Sequence, residues 1–350
     1  MSVAPVPISR AAAAADEVIL RTDELRTYFK AGRAGVVRAV EGVNFSLRRG
    51  KVLGIIGESG SGKSVTARSI LRIIEPPGYI AGGRVLFKGE DILQIPEKRM
   101  RTIRGNEISM IFQDPTTSLN PYMTIGGQLT EAYNSHTPSG SEKARDEAVR
   151  VLKLVGINNG GEIMKKYPCQ FSAGFRQRIF IAMSMILYPD VLIADEPTTS
   201  LGITIQAEII EALSEVQRQT GISIIIITHD FGVAAQFSDD IFVMYAGRCV
   251  EFSPKRDLLT RPAHPYTIGL IRSVPLLEER KTRRLKSIPG FPPDMSALPP
   301  GCPFAERCEF VGEPCREEMP ELRAVSGAHL CACHYPQQYN VSEDTELGVF

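Results

Sequence analysis

Residues Val52–Ser64 read VLGIIGESGSGKS, and this stretch decides the fold. An apolar run of strand length leads into a Gly-rich loop that fits G-x-x-x-x-G-K-[ST], and a helical pattern follows. Glycines let backbone N–H groups approach phosphates, and a helix N-terminus adds a partial positive charge. We therefore expect Lys63 to reach the β- and γ-phosphates of a nucleotide and Ser64 to offer its hydroxyl to Mg²⁺. An ordinary Gly/Ser loop is the alternative, and a second motif argues against it.

A pair of acids follows another apolar strand at Val191–Pro197, which reads VLIADEP. Two adjacent carboxylates after a buried strand are costly unless a cation or a ligand uses them. We expect Asp195 to lie at the C-terminal end of the strand, beside the phosphate loop, where it holds Mg²⁺ through water. Glu196 is then placed to polarise the attacking water. The alternative is a pair of solvated acids that cap a turn.

Two further polar residues follow predicted strands. His229 comes directly after the strand SIIIIT, at the strand end where a γ-phosphate would be sensed. Gln113 follows ISMIF and is placed to bring its side-chain oxygen to Mg²⁺ and water. A lone His is more often structural, and Gln113 is a weak signal by itself. The position of His229 between an apolar strand and Asp230 favours a functional role.

The order of patterns along the chain predicts an α/β fold with a helical insertion. The predicted strands are 18–28, 36–47, 52–57, 83–87, 108–112, 191–194 and 223–227, and the predicted helices are 63–74, 144–155, 173–187, 205–220 and 231–237. We divide the chain into a disordered N-terminus (1–17), an α/β domain (18–260) with a helical subdomain at about 114–188, and a C-terminal extension (261–350). Prolines are dense beyond Thr260, so we expect a loop-rich tail rather than another α/β layer.

The composition sets the broad class of protein. The 350 residues carry a formal net charge of zero, which gives no overall attraction to nucleic acid. Hydrophobic residues make up 43% of the chain, enough for a substantial core. No apolar run approaches the ~20 residues that cross a bilayer. The flanks of Ala11–Ala15 are polar and acidic, so no signal peptide is expected. These features predict a soluble cytoplasmic protein whose membrane association comes through a partner.

Taken together, these residues resemble the ATP-binding cassette family. The phosphate loop, Gln113, the DEP acids and His229 follow the family's order between Val18 and about Glu251. The stretches GESGSGKS, MIFQDPTTSLNPYMTIG, YPCQFSAGFRQR, HPYT at His264 and the tail GCPFAERC look like the oligopeptide/dipeptide/nickel permease branch. The resemblance implies a P-loop ATPase core with an antiparallel β subdomain, a helical subdomain and a Cys-rich C-terminal extension.

The resemblance also implies partners and residue roles. It implies two cassettes bound to two transmembrane permease subunits at the cytoplasmic face of the inner membrane, with an extracytoplasmic solute-binding protein. Each ATP then lies between one chain's phosphate loop and the other chain's signature motif, here FSAGF. Gln113 would couple the site to the membrane subunits, and Phe29, or its neighbour Tyr28, would stack on adenine. The residues expected to contact the nucleotide are Phe29, Gly57, Glu58, Ser59, Gly60, Ser61, Gly62, Lys63, Ser64, Val65, Ser172 and Gly174.

The signature motif departs from the family pattern, which is roughly Leu/Phe-Ser-Gly-Gly-Gln/Met. Ser172 and Gly174, expected to face the γ-phosphate, are present. Ala173 replaces a glycine, and Phe175 replaces a polar or flexible residue. Alanine costs ~1 kcal/mol or more if its position needs a positive φ, and almost nothing otherwise.

A second departure is Gly202, which stands where the family usually has an aspartate that links the two sites across the dimer. Both departures fall on elements that serve the partner's phosphate loop, while this chain's own loop and acids look intact. They lead to the hypothesis of an asymmetric heterodimer. The site with this chain's phosphate loop hydrolyses ATP, and the site completed by FSAGF binds ATP but turns it over slowly. Neutral drift with two active sites is the alternative.

Five of the seven cysteines crowd the C-terminal tail: Cys302, Cys308, Cys315, Cys331 and Cys333. A disulfide framework is not expected in a cytoplasmic chain, and the spacing lacks the CxxC pairs of a zinc ribbon. Four thiolates in an irregular loop suit an iron–sulfur cluster, although the spacing matches no standard ferredoxin run. The resemblance implies a [4Fe–4S] cluster, with Cys333 as the fourth ligand and Cys331 as the spare. Zinc and unliganded buried cysteines are the alternatives.

Other functions stay open at this point. A cassette ATPase that works on DNA or ribosomes would lack the permease-type tail and would normally carry basic tracts or a second cassette. A non-hydrolytic regulatory subunit would have no need of Glu196 and His229. Within the importer interpretation peptides are the expected cargo. Nickel and oligosaccharides are the alternatives, because substrate contacts belong to the partner subunits.

Overall fold

The computed structural model describes residues 17–32, 35–113, 119–137, 140–199, 201–274 and 287–339. Within these ranges the strands are β1 (Val18–Lys30), β2 (Val36–Arg48), β3 (Val52–Ile56), β4 (Gly78–Phe87), β5 (Glu90–Asp91), β6 (Ile108–Ile111), β7 (Val191–Asp195), β8 (Ser223–Thr228), β9 (Asp240–Tyr245), β10 (Arg248–Pro254), β11 (Arg323–Ser326) and β12 (His329–Cys331). The helices are α1 (Lys63–Ile70), α2 (Glu97–Ile103), α3 (Ile125–Asn134), α4 (Ser141–Leu154), α5 (Gly160–Ile163), α6 (Ala173–Ser184), α7 (Ile203–Thr220), α8 (Phe231–Phe237), α9 (Lys255–Thr260), α10 (Pro265–Arg272) and α11 (Pro314–Glu317). The predicted disordered N-terminus lies outside the described residues, apart from Glu17.

One compact unit is formed by the described residues of Met1–Ile19, Leu47–Lys51 and Gln94–Ile226. Its strands follow the order β8-β7-β6, and β6 and β7 run parallel. Every residue of β6 and β7 is buried, as is typical of parallel strands that are covered on both faces. Helix α4 packs against α3 and α6, and α6 packs against α7. The helical pattern predicted between the two strands is confirmed.

The other unit is formed by the described residues of Leu20–Ser46, Val52–Leu93 and Ile227–Phe350. It contains an antiparallel sheet of order β2-β1-β4-β5. A second run of its strands has the order β11-β12-β10-β9-β3, in which β3 and β9 are parallel. Strand β3 is buried throughout and leads directly into the Gly-rich loop that begins at Gly57.

Two element boundaries differ from the predicted ones by four residues or more. Helix α1 ends at Ile70 rather than Ile74, because Arg72 takes a φ of +54°, which no right-handed helix accommodates. Strand β4 begins at Gly78 rather than Gly83. Pairing with β1 carries the strand through a register shift beside Gly83, whose φ of +89° interrupts the alternation that sequence reasoning depends on.

The C-terminal extension is built into the second unit. Strand β12 pairs antiparallel with β10, so that Glu251 lies opposite Cys331, and β11 pairs with β12. Phe304 joins the buried cluster that contains Tyr245 and Tyr266. The described part of the extension is rich in loops, yet it adds strands to the sheet and aromatic surface to the core.

Candidate functional site

The predicted phosphate loop lies between β3 and α1 in the second unit. The chain leaves the buried strand at Gly57 and enters the helix at Lys63. The Lys63 side chain is nearly buried, at 4% exposure, and its Nζ donates hydrogen bonds of 2.8 Å to the carbonyl oxygens of Gly57 and Glu58. The loop thus folds around its own ammonium group, which places a fixed positive charge inside the bend of the backbone.

Gly62 is the position where this loop needs glycine. Its φ is +102°, and a β carbon there would lie 2.2 Å from the carbonyl oxygen of Ala39. As the N-cap of α1 it offers no side-chain acceptor to the first-turn amides. Ser61 is buried. The loop and first-turn positions that are exposed or partly exposed are Glu58, Ser59, Gly60, Ser64 and Val65. Such an uncapped helix start with accessible loop residues suits the binding of a phosphate group.

Glu58 is held by two residues that the sequence analysis missed. Its backbone N–H donates a 2.8 Å hydrogen bond to the Tyr266 hydroxyl. Its carboxylate accepts a bidentate pair from Arg307, with distances of 2.6 Å from Nη1 and 2.9 Å from Nη2. The hydrogen bond to Glu58 raises the pKa of Arg307, and burial raises the pKa of Tyr266. Because Arg307 lies 249 residues along the chain from Glu58, no local pattern could have indicated the pair.

The predicted adenine-stacking aromatics lie on β1, also in the second unit. Phe29 stands opposite Gly78, where a β carbon would come within 2.5 Å of the Phe29 ring. The Tyr28 hydroxyl donates a 2.8 Å hydrogen bond to Oε2 of Glu41 on β2, and the two rings Tyr28 and Tyr79 meet edge to face. The Tyr28 side chain is thus held by its neighbours, and the Phe29 ring lies against Gly78.

The two predicted acids lie at the C-terminal end of β7 in the first unit. Asp195 is the last residue of the strand and is 1% exposed. Glu196 has a φ of +48°, a left-handed backbone conformation that residues other than glycine rarely adopt. Its Oε2 accepts hydrogen bonds from Gln113 Nε2 at 3.0 Å and from Thr199 Oγ1 at 2.7 Å. The two hydrogen bonds therefore fix the orientation of the carboxylate, and the backbone that carries it is strained.

Gln113 reaches Glu196 because of the register between β6 and β7. Ile111 stands opposite Ala194, and each polar residue lies two positions further along its own strand. Thr199 was not among the predicted site residues. The turn that follows β7 brings it back, since its backbone N–H also donates to the Glu196 carbonyl at 3.2 Å. The sequence DEPTT contains this threonine, but only the turn geometry shows its role.

His229 lies in the second unit, at the corner between β8 and α8. The corner is fixed by Asp230, whose Oδ1 accepts from the N–H groups of Gly232 at 2.8 Å and Val233 at 3.3 Å. The Asp230 N–H in turn donates to Thr228 Oγ1 at 2.9 Å. His229 itself is exposed. The sequence therefore places an accessible imidazole on a backbone corner that is held from both sides.

The signature motif opens helix α6. Ser172 is the N-cap, and its Oγ accepts from the Phe175 N–H at 3.4 Å. Ala173 is the first helical residue, so its backbone carries no positive-φ penalty and the alanine is nearly free of conformational cost. Phe175 stacks on Phe171 with centroids 4.7 Å apart, and the Arg178 guanidinium lies 5.5 Å from the Phe175 ring. The unusual phenylalanine thus has a local packing role.

Gly174 and Gly202 differ in what the structure requires of them. Gly174 is buried against Ile205 of α7, and a β carbon there would lie 2.4 Å from Ile205 Cγ2. Gly202 is the N-cap of α7 with a φ of −67°, and nothing lies within 4 Å of a β carbon built on it. Glycine at 174 is therefore imposed by helix packing. Position 202 accommodates a side chain, including the aspartate that the family pattern has there. Ser200, beside it, lies outside the described residues.

The tail cysteines converge on one small cavity. Burial raises the pKa of Cys302 to about 11 and that of Cys333 to about 12. In the described part of the chain, no group of three or more His, Cys, Asp or Glu side chains is arranged to hold a metal ion. Cysteine thiolates are ligands that suit a soft metal centre, but the described side chains are not arranged as a metal site. The cysteines that line the cavity are Cys302, Cys308, Cys315 and Cys333, while Cys331 lies on β12 outside the lining.

Comparison with known proteins agrees with this geometry. The ABC transporter family matches residues 40–199, and the family described as "Oligopeptide/dipeptide transporter, C-terminal region" matches residues 250–315. The chain is 47% identical over 323 residues to the dipeptide transport ATP-binding protein DppD of Bacillus subtilis, covering 92% of this chain and 96% of that protein. It is 47% identical over 319 residues to the oligopeptide transport ATP-binding protein OppD of Salmonella typhimurium, covering 91% and 94%.

Solved structures share the fold. The ATP-binding cassette MJ0796, in a dimeric post-hydrolysis state bound to ADP and Pi, aligns with a TM-score of 0.60 at 23% identity over 68% of this chain and 99% of that one. The protein cbiO1 from Clostridium perfringens, part of the ABC transporter complex cbiONQ, aligns with a TM-score of 0.60 at 28% identity over 69% and 91%.

The family match and these close relatives define the chain as an ABC-type ATPase, an enzyme that hydrolyses ATP in a transporter. The chain belongs to the ABC transporter family and, within it, to the ATP-binding proteins of oligopeptide and dipeptide transporters. The predicted fold class is confirmed, with its α/β core, antiparallel β subdomain and helical subdomain. Across the described residues, every helix is too short or too polar to span a membrane.

Proposed function

We propose that this chain energises an importer of oligopeptides or dipeptides. The observation that carries the enzymatic part is Glu196, strained at φ +48° and oriented by Gln113 and Thr199. A non-hydrolytic regulatory subunit has no use for a carboxylate oriented in this way. The transport part is supported by relatives that are named dipeptide and oligopeptide transport ATP-binding proteins and that match the chain over about nine-tenths of its length.

The phosphate loop binds the nucleotide in this proposal. The backbone amides of Gly57–Gly62 and the Lys63 ammonium hold the β- and γ-phosphates, and Phe29 stacks on adenine. Ser64, Asp195 and Gln113 are the side chains that face Mg²⁺, which neutralises phosphate charge when it is bound. Little covalent chemistry is required of the protein, so the loop acts by positioning and by charge.

The acids and His229 carry the hydrolytic step. Glu196 accepts the proton of the water that attacks the γ-phosphate, and the hydrogen bonds from Gln113 and Thr199 keep its carboxylate in one orientation. His229 contacts the γ-phosphate from its corner after β8. Ser172 and Gly174, at the start of α6, serve the nucleotide held by a partner cassette.

The proposal includes a second ATPase subunit, two transmembrane permease subunits and an extracytoplasmic solute-binding protein. The chain then lies at the cytoplasmic face of the inner membrane, with residues 18–260 as its ATPase domain and 261–350 as its extension. Nickel or oligosaccharide transport is the alternative within the same class. The subunits that contact the cargo decide between them.

Within the dimer we propose an asymmetric pair of sites. Gly202 lacks the linking carboxylate although its position accommodates one, and Phe175 is committed to stacking on Phe171. Both residues belong to the face that serves the partner's nucleotide. The site with this chain's phosphate loop is the hydrolytic one, and the opposite site is slow. Neutral drift with two equal sites is the competing hypothesis.

The test is ATP turnover by the assembled transporter that carries Glu196→Gln, beside the matching change in the partner cassette. Loss of turnover from Glu196→Gln alone, with retained ATP binding, supports both the hydrolytic role and the asymmetry. Equal loss from either change supports the role and rejects the asymmetry. Turnover that survives Glu196→Gln while the partner change abolishes it rejects both.

The tail is proposed to hold a [4Fe–4S] cluster through Cys302, Cys308, Cys315 and Cys333, with zinc as the alternative. The support is that these four thiols line one cavity while Cys331 does not. Binding requires the thiols to lose their protons, so the affinity for the metal falls as the pH is lowered. Anaerobic purification followed by iron, sulfide and zinc analysis tests it. Absence of all three, or a metal content unchanged in Cys302→Ala, rejects the metal site.

A further inference from the structure

We propose that Arg307 positions the phosphate loop, which makes the C-terminal extension a working part of nucleotide binding. The inference rests on the proposed role of Gly57–Ser64 as the phosphate-binding loop. Arg307 lies in the Cys-rich tail, yet its guanidinium makes a bidentate ion pair with Glu58, the second residue of that loop. The whole contact lies within the second unit.

The Arg307 guanidinium donates hydrogen bonds to two acceptors besides the Glu58 carboxylate. Nε donates to the Pro289 carbonyl at 2.8 Å, and Nη1 also donates to the Tyr245 hydroxyl at 3.2 Å. The Arg307 side chain is 4% exposed, against 29% for Glu58. A planar guanidinium held by Pro289 and Tyr245 offers one geometry to the carboxylate, so the Glu58 side chain is held in one position.

Glu58 is also pinned through its backbone. The Tyr266 hydroxyl on α10 accepts from the Glu58 N–H, and the Glu58 carbonyl accepts from Lys63 Nζ at 2.8 Å. Tyr266, Tyr245 and Phe304 pack against one another with ring centroids 4.6 to 5.4 Å apart. One aromatic cluster therefore supports both groups that hold the second residue of the loop.

The ion pair between Arg307 and Glu58 also reduces the repulsion between the Glu58 carboxylate and a bound phosphate. A carboxylate in a loop that receives a polyphosphate repels it, and a paired guanidinium removes most of that repulsion. Arg307 accordingly does two things at once. It sets the position of Glu58, and it cancels the Glu58 charge where anions bind. A neutral side chain at position 307 leaves the Glu58 carboxylate without this guanidinium beside the phosphates.

The position of Arg307 is itself set by the cysteine-bearing turn. Arg307 ends a 3₁₀ turn over Ala305–Arg307, whose first N–H donates to the Cys302 carbonyl at 3.0 Å. The Cys302 N–H donates to the Cys315 carbonyl at 2.8 Å. The backbone that carries the cavity-lining cysteines thus also sets the reach of Arg307 to the phosphate loop.

The experiment measures the affinity of the purified full-length chain for a fluorescent ATP analogue, together with its thermal midpoint without nucleotide. The variants are Arg307→Ala, Arg307→Lys, Glu58→Gln and the double variant Arg307→Ala/Glu58→Gln. Arg272→Ala is the control, because Arg272 pairs with Glu309 and Tyr339 in the same unit without touching the loop.

We expect Arg307→Ala to weaken binding about tenfold, and Arg307→Lys to weaken it less, because lysine keeps the charge but not the fork. Removing the Glu58 charge in the double variant restores at least about threefold, since no unpaired carboxylate faces the phosphates. Arg272→Ala leaves the affinity unchanged. A purely structural role predicts a lower thermal midpoint in Arg307→Ala with no rescue by Glu58→Gln.

Several outcomes overturn the proposal. The proposal is wrong if Arg307→Lys and Arg307→Ala bind the ATP analogue with unchanged affinity. It is also wrong if Arg272→Ala loses as much affinity as Arg307→Ala. If Arg307→Ala does not fold, Arg307→Lys decides, and unchanged affinity in that variant rejects the positioning role. Lys63→Ala separates this inference from the proposed function. If Lys63→Ala abolishes binding while the Arg307 variants bind normally, only the inference fails, and if Lys63→Ala binds normally, the phosphate-loop assignment itself is wrong.

Discussion

The Thr199 hydroxyl donates a 2.7 Å hydrogen bond to Oε2 of Glu196, the same oxygen that accepts from Gln113. Glu196 follows the last residue of β7 with a φ of +48°, and Thr199 lies three residues further along the turn. One carboxylate oxygen is therefore occupied by two donors.

Thr199→Val is expected to lower ATP turnover about tenfold without a comparable change in the KM for ATP, since it removes a hydrogen bond worth roughly 1.5 kcal/mol at the reacting carboxylate. Thr199→Ser keeps the hydroxyl and serves as the matched control. Steady-state ATP hydrolysis by the assembled transporter measures both. A rise in KM with unchanged kcat would instead assign Thr199 to nucleotide binding.

Gly174→Ala is expected to destabilise the protein by about 1–3 kcal/mol, because the new methyl group would lie 2.4 Å from Ile205 Cγ2. Gly161→Ala is the control, since nothing lies within 4 Å of a β carbon there. Urea unfolding of the purified chain measures both. Adding Ile205→Ala to Gly174→Ala removes the opposing methyl and should lessen the penalty of the glycine substitution. A Gly174→Ala protein as stable as the parent contradicts the packing argument.

Gly202→Asp is expected to stabilise the protein by a few tenths of a kcal/mol, because a carboxylate at this N-cap can accept from the first-turn amides of α7. Gly202→Ala supplies no acceptor and should lower stability slightly. If the missing aspartate is what slows one ATP site, Gly202→Asp also raises turnover in a transporter whose other site is blocked. Unfolding and turnover are therefore measured on the same variants.

The burial of His264 is expected to make the folded protein less stable in acid. It is buried, and its Nδ1 accepts from the Tyr266 N–H at the N-cap of α10, so the fold holds the neutral form. Burial lowers the pKa of His264 from 6.5 to about 4. The unfolded chain binds a proton below pH 6.5 and the folded chain does not, so the stability is complete above pH 6.5 and is lost as the pH falls towards 4. The loss approaches about 3 kcal/mol.

The variant that checks this is His264→Asn, which keeps an N-cap acceptor without a titrating ring. Urea unfolding at pH 7.5 and pH 5 should show a smaller difference between the two pH values in His264→Asn than in the parent. His136→Asn, at a partly exposed position, is the control. An equal pH dependence in parent and His264→Asn would assign the acid sensitivity to other groups.

Local patterns predicted the elements that carry their own signals. The phosphate loop, the DEP acids and the strands on either side of the helical insertion follow from residue spacing alone, and β3, β7 and α8 lie where their apolar runs indicated. The predicted end of α1 and the predicted start of β4 were wrong. A positive φ at Arg72 and a register shift beside Gly83 leave no trace in hydrophobic periodicity. The tail strand β12 was missed because its three residues are too short for any alternation to be read.

By itself, the sequence determined the class of this protein. A strand, a Gly-rich loop and a helix bind phosphate through neighbouring backbone groups, and the 13 residues Val52–Ser64 encode the strand, the loop and the start of the helix. The tertiary structure decided which distant residues serve that loop. Arg307 reaches Glu58 across 249 residues, and Gln113 reaches Glu196 through the register of two parallel strands. Such contacts depend on how strands pair and cores pack, and these long-range interactions are set by the whole chain rather than by any one of its segments.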